Sequence, residues 1–372
     1  MDSSRLEALR HLQRAQGVAC VALVPGANLR YFTGLTMQLS ERPTVAFVPA
    51  EGPLVVVLPQ LEAPAAEGQL PQDTRLFLYR DEEGHEHVFH QVVEALDLGG
   101  KAISIEYLTM RVLEMRRIEL AAPGCQLLAT EPWLPQLRAT KDEVEIDHMR
   151  RAVEIAERAM QRVLDEASGA RIQPGRTELE VAADLRIALL REGAQGEAFA
   201  PLVVAGPNSA SPHASPSDRP LAEGDLVIVD WGAVVEGYRS DITRTFVLGE
   251  PTPEMVHIHD AVLAANQSAR LAVRPKMPAQ ELDRLARRAI AQAGYGEFFL
   301  HRTGHGLGLE THEPPYLVEG NLTLLETGMT FTVEPGVYVP DLGGVRIEDD
   351  VLVTPDGSET LTTLPRGLIS LG

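Results

Sequence analysis

The stretch from Val229 to Thr243, VDWGAVVEGYRSDIT, decides how this chain is read. An apolar run over residues 226–229 ends in Asp230, a turn-like Glu236-Gly237 follows, and a second acid, Asp241, opens a β-rich run over 242–248. A hairpin folding about residues 235–236 places Asp230 and Asp241 opposite each other, because both are equally far from the turn. Directly opposed residues have Cβ atoms about 5 Å apart, and like charges there destabilise a sheet. Two carboxylates set face to face need a compensating partner.

The pattern returns later in the chain. From Phe331 to Asp350 the sequence reads FTVEPGVYVPDLGGVRIEDD, two strand-like segments about a turn over 340–344. Glu334 and Glu348 are equidistant from Asp341 and so form a second opposed pair, each among apolar or β-branched neighbours. Four acids in sheet surroundings need positive charge. Arg239, Arg244 and Arg346 are too few to supply it, whereas bound divalent cations would.

Between the two hairpins lies HRTGHGLGLETH, His301 to His312, with glycines at 304, 306 and 308 that allow close backbone approach around His305. Four carboxylates and one imidazole make an oxygen-rich pocket for two divalent ions. Such donors suit Mn(II), Co(II) or Zn(II), with manganese favoured by the carboxylate share. Two adjacent ions lower the pKa of a shared water. Taken singly, each residue has a plainer reading. An Asp at a strand end is commonly a solvated terminator, Glu334 before Pro-Gly can be a turn acid, and a His among glycines is usually a loop residue. The glycines alone could serve a phosphate, but no Lys-Ser/Thr follows as in a P-loop. The conjunction of two symmetric pairs and a histidine carries the metal reading.

Composition sets the limits. The 372 residues exceed a typical single core, so two domains are expected, and 44% hydrophobic residues are ample to fill them. A net charge of −20 argues against nucleic acid and against an anionic membrane surface. Two cysteines, Cys20 and Cys125, give neither a disulfide framework nor a zinc ribbon. The opening MDSSRLEALRHLQRAQG reads as a helix with Leu6, Leu9 and Leu12 on one stripe rather than as a signal peptide. No apolar run reaches the ~18 residues that span a bilayer. A cytoplasmic location is the expectation.

Helix and strand signals alternate over the first third. Strand-like segments fall at 18–24, 29–32, 44–48, 54–58 and 102–106, and helical ones at 86–97 and 109–120, an α/β domain with a mixed sheet. Two prolines within 131–135 end it. A long amphipathic helix is then predicted over 142–167, and a second begins at the capping box Thr177-Glu-Leu-Glu180. Helices over 253–272 and 279–293 precede strands at 329–339 and 345–353. The order helix, helix, hairpin thus occurs twice, as in an internal pseudo-repeat.

These residues resemble a known family. Asp230 and Asp241, with GYRSDITRTF over 237–246, HRTGHGLG over 301–308, TVEPG over 332–336 and GGVRIED over 343–349, are similar to the Xaa-Pro dipeptidase (prolidase) and Xaa-Pro aminopeptidase family. NLRYFTG over 28–34 is similar to its creatinase-type N-terminal domain. The resemblance implies an α+β architecture: a pita-bread catalytic domain over 137–372, pseudo-twofold with an antiparallel sheet covered by helices, preceded by a smaller α/β domain over 1–132. It implies metal ligation by Asp230, Asp241, His305, Glu334 and Glu348, with Glu334 also handling the proton. His213 and His312 match substrate-facing histidines, although either alone would read as a surface loop residue. Thr243 and Arg346 are implied to orient the carboxylates, while His301, Tyr238 and Glu313 lie in the motifs without an assigned step.

The implied reaction is cleavage of the peptide bond before proline by a dinuclear-metal hydrolase, on Xaa-Pro dipeptides first. The absence of large insertions favours this over an Xaa-Pro aminopeptidase acting on longer peptides. A metal-free binding module on the same fold is the rival of another class, and a creatinase-like C–N hydrolase is a third reading. By analogy, the loop over 36–43 with Arg42 would cap a neighbouring subunit's site in a homodimer; the plainer reading is a solvated Arg42.

Overall fold

The computed structural model describes residues 3–165 and 172–371. They divide into two compact units, Met1–Arg138 and Ala139–Gly372.

The first unit begins with α1 (Ser3–Ala15), β1 (Cys20–Leu23) and α2 (Ala27–Thr33), and continues through β2 (Val45–Pro49), β3 (Val55–Pro59) and α3 (Ala63–Glu67). Then come β4 (Arg75–Tyr79), α4 (Glu86–Ala95), β5 (Ala102–Ile105), α5 (Val112–Ala121) and β6 (Gln126–Ala129). The six strands form one mixed sheet in the order β4-β3-β2-β1-β5-β6, antiparallel at β2–β3 and β1–β2 and parallel elsewhere. Val45, Phe47, Val55 and Val57 bury one face of it against Phe89, Val92 and Ile118 from α4 and α5. The segment over 29–32 corrects the sequence reading: it is helical, within α2. Glycines at each end bracket it, and Gly34 adopts a left-handed conformation (φ 78°) that ends the helix. Arg42 is engaged within its own unit, its guanidinium 2.9 and 2.7 Å from the Asp81 carboxylate oxygens.

After a short α6 (Gln136–Ala139), the second unit opens on α7 (Glu143–Leu164) and α8 (Glu178–Arg191). Both start at capping boxes, Asp142 with Glu145 and Thr177 with Glu180. α7 buries Met149, Val153, Ala156, Met160 and Val163 along one stripe; the end expected at Ala167 lies outside the described residues. Next come β7 (Leu202–Ala205), β8 (Leu226–Trp231), β9 (Val234–Val235), β10 (Tyr238–Arg239) and β11 (Ile242–Leu248). The second helix pair, α9 (Pro253–Arg270) and α10 (Gln280–Gln292), leads to β12 (Gly304–Gly306) and β13 (Glu313–Leu317). β14 (Thr330–Val333), β15 (Gly336–Val339), β16 (Gly343–Arg346), β17 (Asp349–Thr354), β18 (Gly357–Thr360) and β19 (Ile369–Leu371) complete it. The larger sheets run β19-β11-β8-β7 and β13-β12-β14-β17-β18, with β9–β10 and β15–β16 as separate ribbons. Helices α9 and α10 cover the second sheet through Ile258, Val262, Leu282, Ala286 and Ile290 against Phe331, Val333 and Val351. Among the described residues, no helix is long and apolar enough to cross a membrane.

The two hairpins set the registers of the acids. In the first, Val235 pairs with Tyr238, so the turn centres on Glu236-Gly237, both at positive φ (47° and 75°). Such a turn matches the strand twist of a tight hairpin. It shifts the register from the one read in the sequence: Asp230 faces Thr243, and Asp241 is the diagonal neighbour on the same face. Glu334 and Glu348 keep the expected register, since Gly336 pairs with Arg346 on one side of them and Val333 with Asp349 on the other. An isolated bridge, Thr243 to Glu348, joins the two sheets at this level.

Candidate metal centre

Strand ends and strand interruptions aim five side chains at one place. Asp230 comes from β8, Asp241 immediately precedes β11, His305 lies in β12, Glu334 follows β14, and Glu348 sits between β16 and β17. His305 Nε2 is 3.2 Å from Glu334 Oε1 and 3.7 Å from Asp241 Oδ2. Asp241, His305 and Glu348 each offer a donor atom within 4.8 Å of the others. Asp241, His305 and Glu348 are buried.

The electrostatics of the cluster are those of acids short of cations. Desolvation raises all four carboxylates above their ordinary range, and their mutual repulsion adds to it: Glu348 and Asp230 act on Asp241, and Glu334 and Asp230 on Glu348. Glu334 is raised to about 7. Only one of the three arginines weighed in the sequence meets these acids. Arg346 donates to Asp230 Oδ2 (2.5 Å), whereas Arg244 pairs with Asp349 and Arg239 binds backbone carbonyls. Two buried oxygens, Asp230 Oδ1 and Glu348 Oε1, have no hydrogen-bond partner among the described residues.

The histidine makes the same point. His305 Nδ1 is 3.1 Å from the carbonyl of Gly306, which can only accept, so the ring proton belongs on Nδ1. Burial lowers the ring's pKa well below the ordinary value and keeps it neutral. Nε2 therefore presents a lone pair to carboxylate oxygens that also carry lone pairs. A cation between them resolves the conflict, and carboxylate oxygen with imidazole nitrogen is the donor set of a hard to borderline divalent ion. The residues fit a metal centre.

Thr243 and Arg346 knit the acids together. The Thr243 hydroxyl donates to Glu348 Oε2 (2.5 Å) and accepts from Arg346 Nε (3.1 Å). Arg346 Nη1 donates to the Tyr338 hydroxyl (3.1 Å), which lies 2.9 Å from His301 Nε2. His301, mostly buried, is lowered to about 4, chiefly by desolvation. Tyr238 is elsewhere: its hydroxyl donates to Glu145 at the start of α7, and its ring stacks on His148.

A cavity of about 670 Å³ opens over the cluster, lined by Phe199, Leu202, His213, His301, Arg302 and His312 besides the acids. That volume suits a small ligand. The His312 and His305 ring centroids are 4.1 Å apart. His213 lies on the loop that links β7 to β8, at the exposed edge of the cavity.

Arg302 and Lys141 were not singled out in the sequence, and Glu313 and Arg239 were named there without the contacts they make. Arg302 lines the cavity with its guanidinium 4.5 Å from the centroid of the Tyr316 ring, and the guanidinium makes no hydrogen bond or ion pair with the described residues. Its position beside His301 in the glycine motif was the available signal. Lys141 and Glu313 form a fully buried ion pair at 2.7 Å next to His312, joining positions 172 residues apart. Arg239 binds the carbonyls of Leu309 and Ala198, tying two segments of the cavity wall together.

Comparison with known proteins agrees with this picture. The family described as metallopeptidase family M24 matches residues 147–355, and the creatinase/prolidase N-terminal domain matches residues 5–140. The probable dipeptidase PepE of Mycobacterium tuberculosis is 39% identical over 95% of this chain and 92% of that protein. A dipeptidase from Pyrococcus horikoshii superposes with a TM-score of 0.92 at 38% identity, covering 99% of this chain and 100% of that one. A prolidase from Thermococcus sibiricus gives 0.94 at 35% identity, covering all of both chains.

Proposed function

This chain belongs to metallopeptidase family M24, and from that premise we propose that it is an Xaa-Pro dipeptidase using two divalent ions, manganese by preference. One observation carries the reading: five donors converge beneath a peptide-sized cavity, and among the described residues only Arg346 forms an ion pair with any of the four acids. Asp230, Asp241, His305, Glu334 and Glu348 would hold the ions. When bound, these would supply Lewis acidity to the scissile carbonyl and acidify a water.

The chain's own groups do the rest. Glu334, at the floor of the cavity, would take a proton from the attacking water and give it to the departing nitrogen. That nitrogen belongs to the proline ring and carries no hydrogen until it is protonated, so recognition on this side rests on ring shape. His312 would donate to the carbonyl oxygen, and its pKa, lowered by partial burial, keeps it neutral. His213 meets the proline side, and Phe199 and Leu202 offer apolar walls. Arg346 and Thr243 hold Asp230 and Glu348 in place.

Dipeptides are favoured over longer peptides because Arg302 is a cation in the cavity wall whose guanidinium no carboxylate of the described residues hydrogen-bonds. A free carboxylate one residue beyond the scissile bond would satisfy it. The deciding experiment pits two substrates against manganese-loaded protein: release of proline from Ala-Pro and release of alanine from Ala-Pro-Ala. Turnover confined to the dipeptide supports the proposal. Efficient cutting of the tripeptide makes the protein an Xaa-Pro aminopeptidase. Cleavage of neither, with two metals bound by elemental analysis, removes proline specificity; absence of bound metal would favour the binding-module reading.

A further inference from the structure

The loop that carries His213 is fastened by a buried carboxylate on another element. Glu178, the first residue of α8, is fully buried. Its Oε1 accepts from the amide of Ala205, where the loop leaves β7 (2.7 Å). Its Oε2 accepts from Asn208 Nδ2 (2.7 Å), from the amide of Ser217 (2.9 Å) and from the hydroxyl of Ser217 (2.7 Å). The backbone amide of Glu178 also donates to the carbonyl of Arg219 (3.2 Å). Entry, interior and exit of the loop thus converge on one side chain.

The arrangement brackets His213. Asn208 and Ser217 lie five residues before it and four after it, and Asn208 Nδ2 also donates to the carbonyl of Ser215 (3.2 Å). A helix N-terminus favours an acid, but a solvated one would serve that purpose. Burying a carboxylate is costly unless its lone pairs are filled, and here four donors fill them, three from the loop and one from the last residue of β7. We propose that Glu178 is a positioning residue for the reaction, holding His213 at the proline side of the cavity. This rests on the reading of His213 as substrate-facing.

The test is a double-mutant cycle on Ala-Pro hydrolysis with Glu178→Gln, His213→Ala and the pair, each with metal content and thermal midpoint recorded. Glutamine keeps the shape but turns an NH2 toward donors. The expected result is a loss of about 10- to 100-fold in kcat for E178Q, as for losing hydrogen bonds to a charged group, with both metals retained. H213A should lose a similar factor, and the double variant no more than H213A alone. Wild-type kcat in E178Q overturns the proposal, as does a loss that multiplies with that of H213A. Wild-type kcat in H213A instead removes the role given to His213, and the proposal with it. Should E178Q fail to fold, Ser217→Ala, which deletes a single donor, is put through the same cycle. A smaller kcat loss absorbed by H213A supports the proposal, and no loss or a multiplicative one overturns it.

Discussion

Replacing Glu334 by Gln in protein stripped of metal by a chelator should change how stability depends on pH. The Glu334 side chain is 14% exposed, and its pKa stands at about 7 instead of 4.5 because burial disfavours the charge and Asp230 repels it. A folded-state pKa above the unfolded value means that the folded form holds a proton the unfolded form has released. The stabilisation is complete below pH 4.5 and is lost as pH rises through about 7. At ~1.4 kcal/mol per pH unit, that interval corresponds to on the order of 3 kcal/mol. For a unit the size of Ala139–Gly372, this is about 6–12 °C in melting temperature. The lowered histidines, His301 and His305 among them, act in the opposite sense as they lose protons between acid pH and their ordinary 6.5, so the raw curve mixes both signs. The difference between wild type and E334Q removes the part due to histidines away from Glu334. Scanning calorimetry on both metal-free proteins from pH 4.5 to 7.5 should therefore show wild type falling steadily behind the variant. Relief of Glu348, whose pKa burial and then Glu334 raise most, widens the gap further. Added Mn(II) should close the gap by stabilising wild type selectively, since the bound ion takes the place of the proton. Parallel curves in the metal-free proteins would refute the reasoning: Glu334 would then be ionised in the fold, and the cluster would have no need of a cation.

Three further outcomes are expected. Thr243→Val removes the hydroxyl between Glu348 and Arg346 and should weaken Mn(II) binding about 10- to 100-fold by titration calorimetry, with little change in fold. Lys141→Met leaves the Glu313 carboxylate buried without its ammonium and should cost about 3–5 kcal/mol in urea unfolding, most of it recovered on adding Glu313→Gln. Arg302→Met should raise KM for Ala-Pro about 10- to 100-fold while leaving Ala-Pro-Ala little affected; an equal change in both substrates would remove the carboxylate-binding role given to Arg302.

What could be read from the sequence, and what could not, follows from the range of the interactions. The helix start at Thr177 was legible because a capping box is contained in four residues, and α7 because its apolar stripe recurs at helical spacing. The opposition of Glu334 and Glu348 was legible because the turn between them is centred on Asp341, midway between the paired Val339 and Gly343. The opposition of Asp230 and Asp241 was misjudged by one turn position. Glu236 takes a positive φ that glutamate seldom adopts, and only the following glycine marked the turn. Residues 29–32 were misread because four mostly apolar residues do not distinguish a strand from a helix. The supports of the site lay beyond reach. Glu178 meets the loop 27 to 39 positions away, and Lys141 meets Glu313 172 positions away, and no local pattern announces either.

Asp230 and Asp241 belong to the sheet that contains β8 and β11, and His305, Glu334 and Glu348 to the one built on β12, β14 and β17 or its margins. At the seam the amide of Glu348 donates to the carbonyl of Thr243 at 3.1 Å, the isolated bridge between the two sheets. Ions held by the five side chains would rivet the halves at this point. The exchange rate of that one amide with deuterated solvent then becomes a gauge of occupancy: fast when the acids repel across the seam, slow once a cation draws them in.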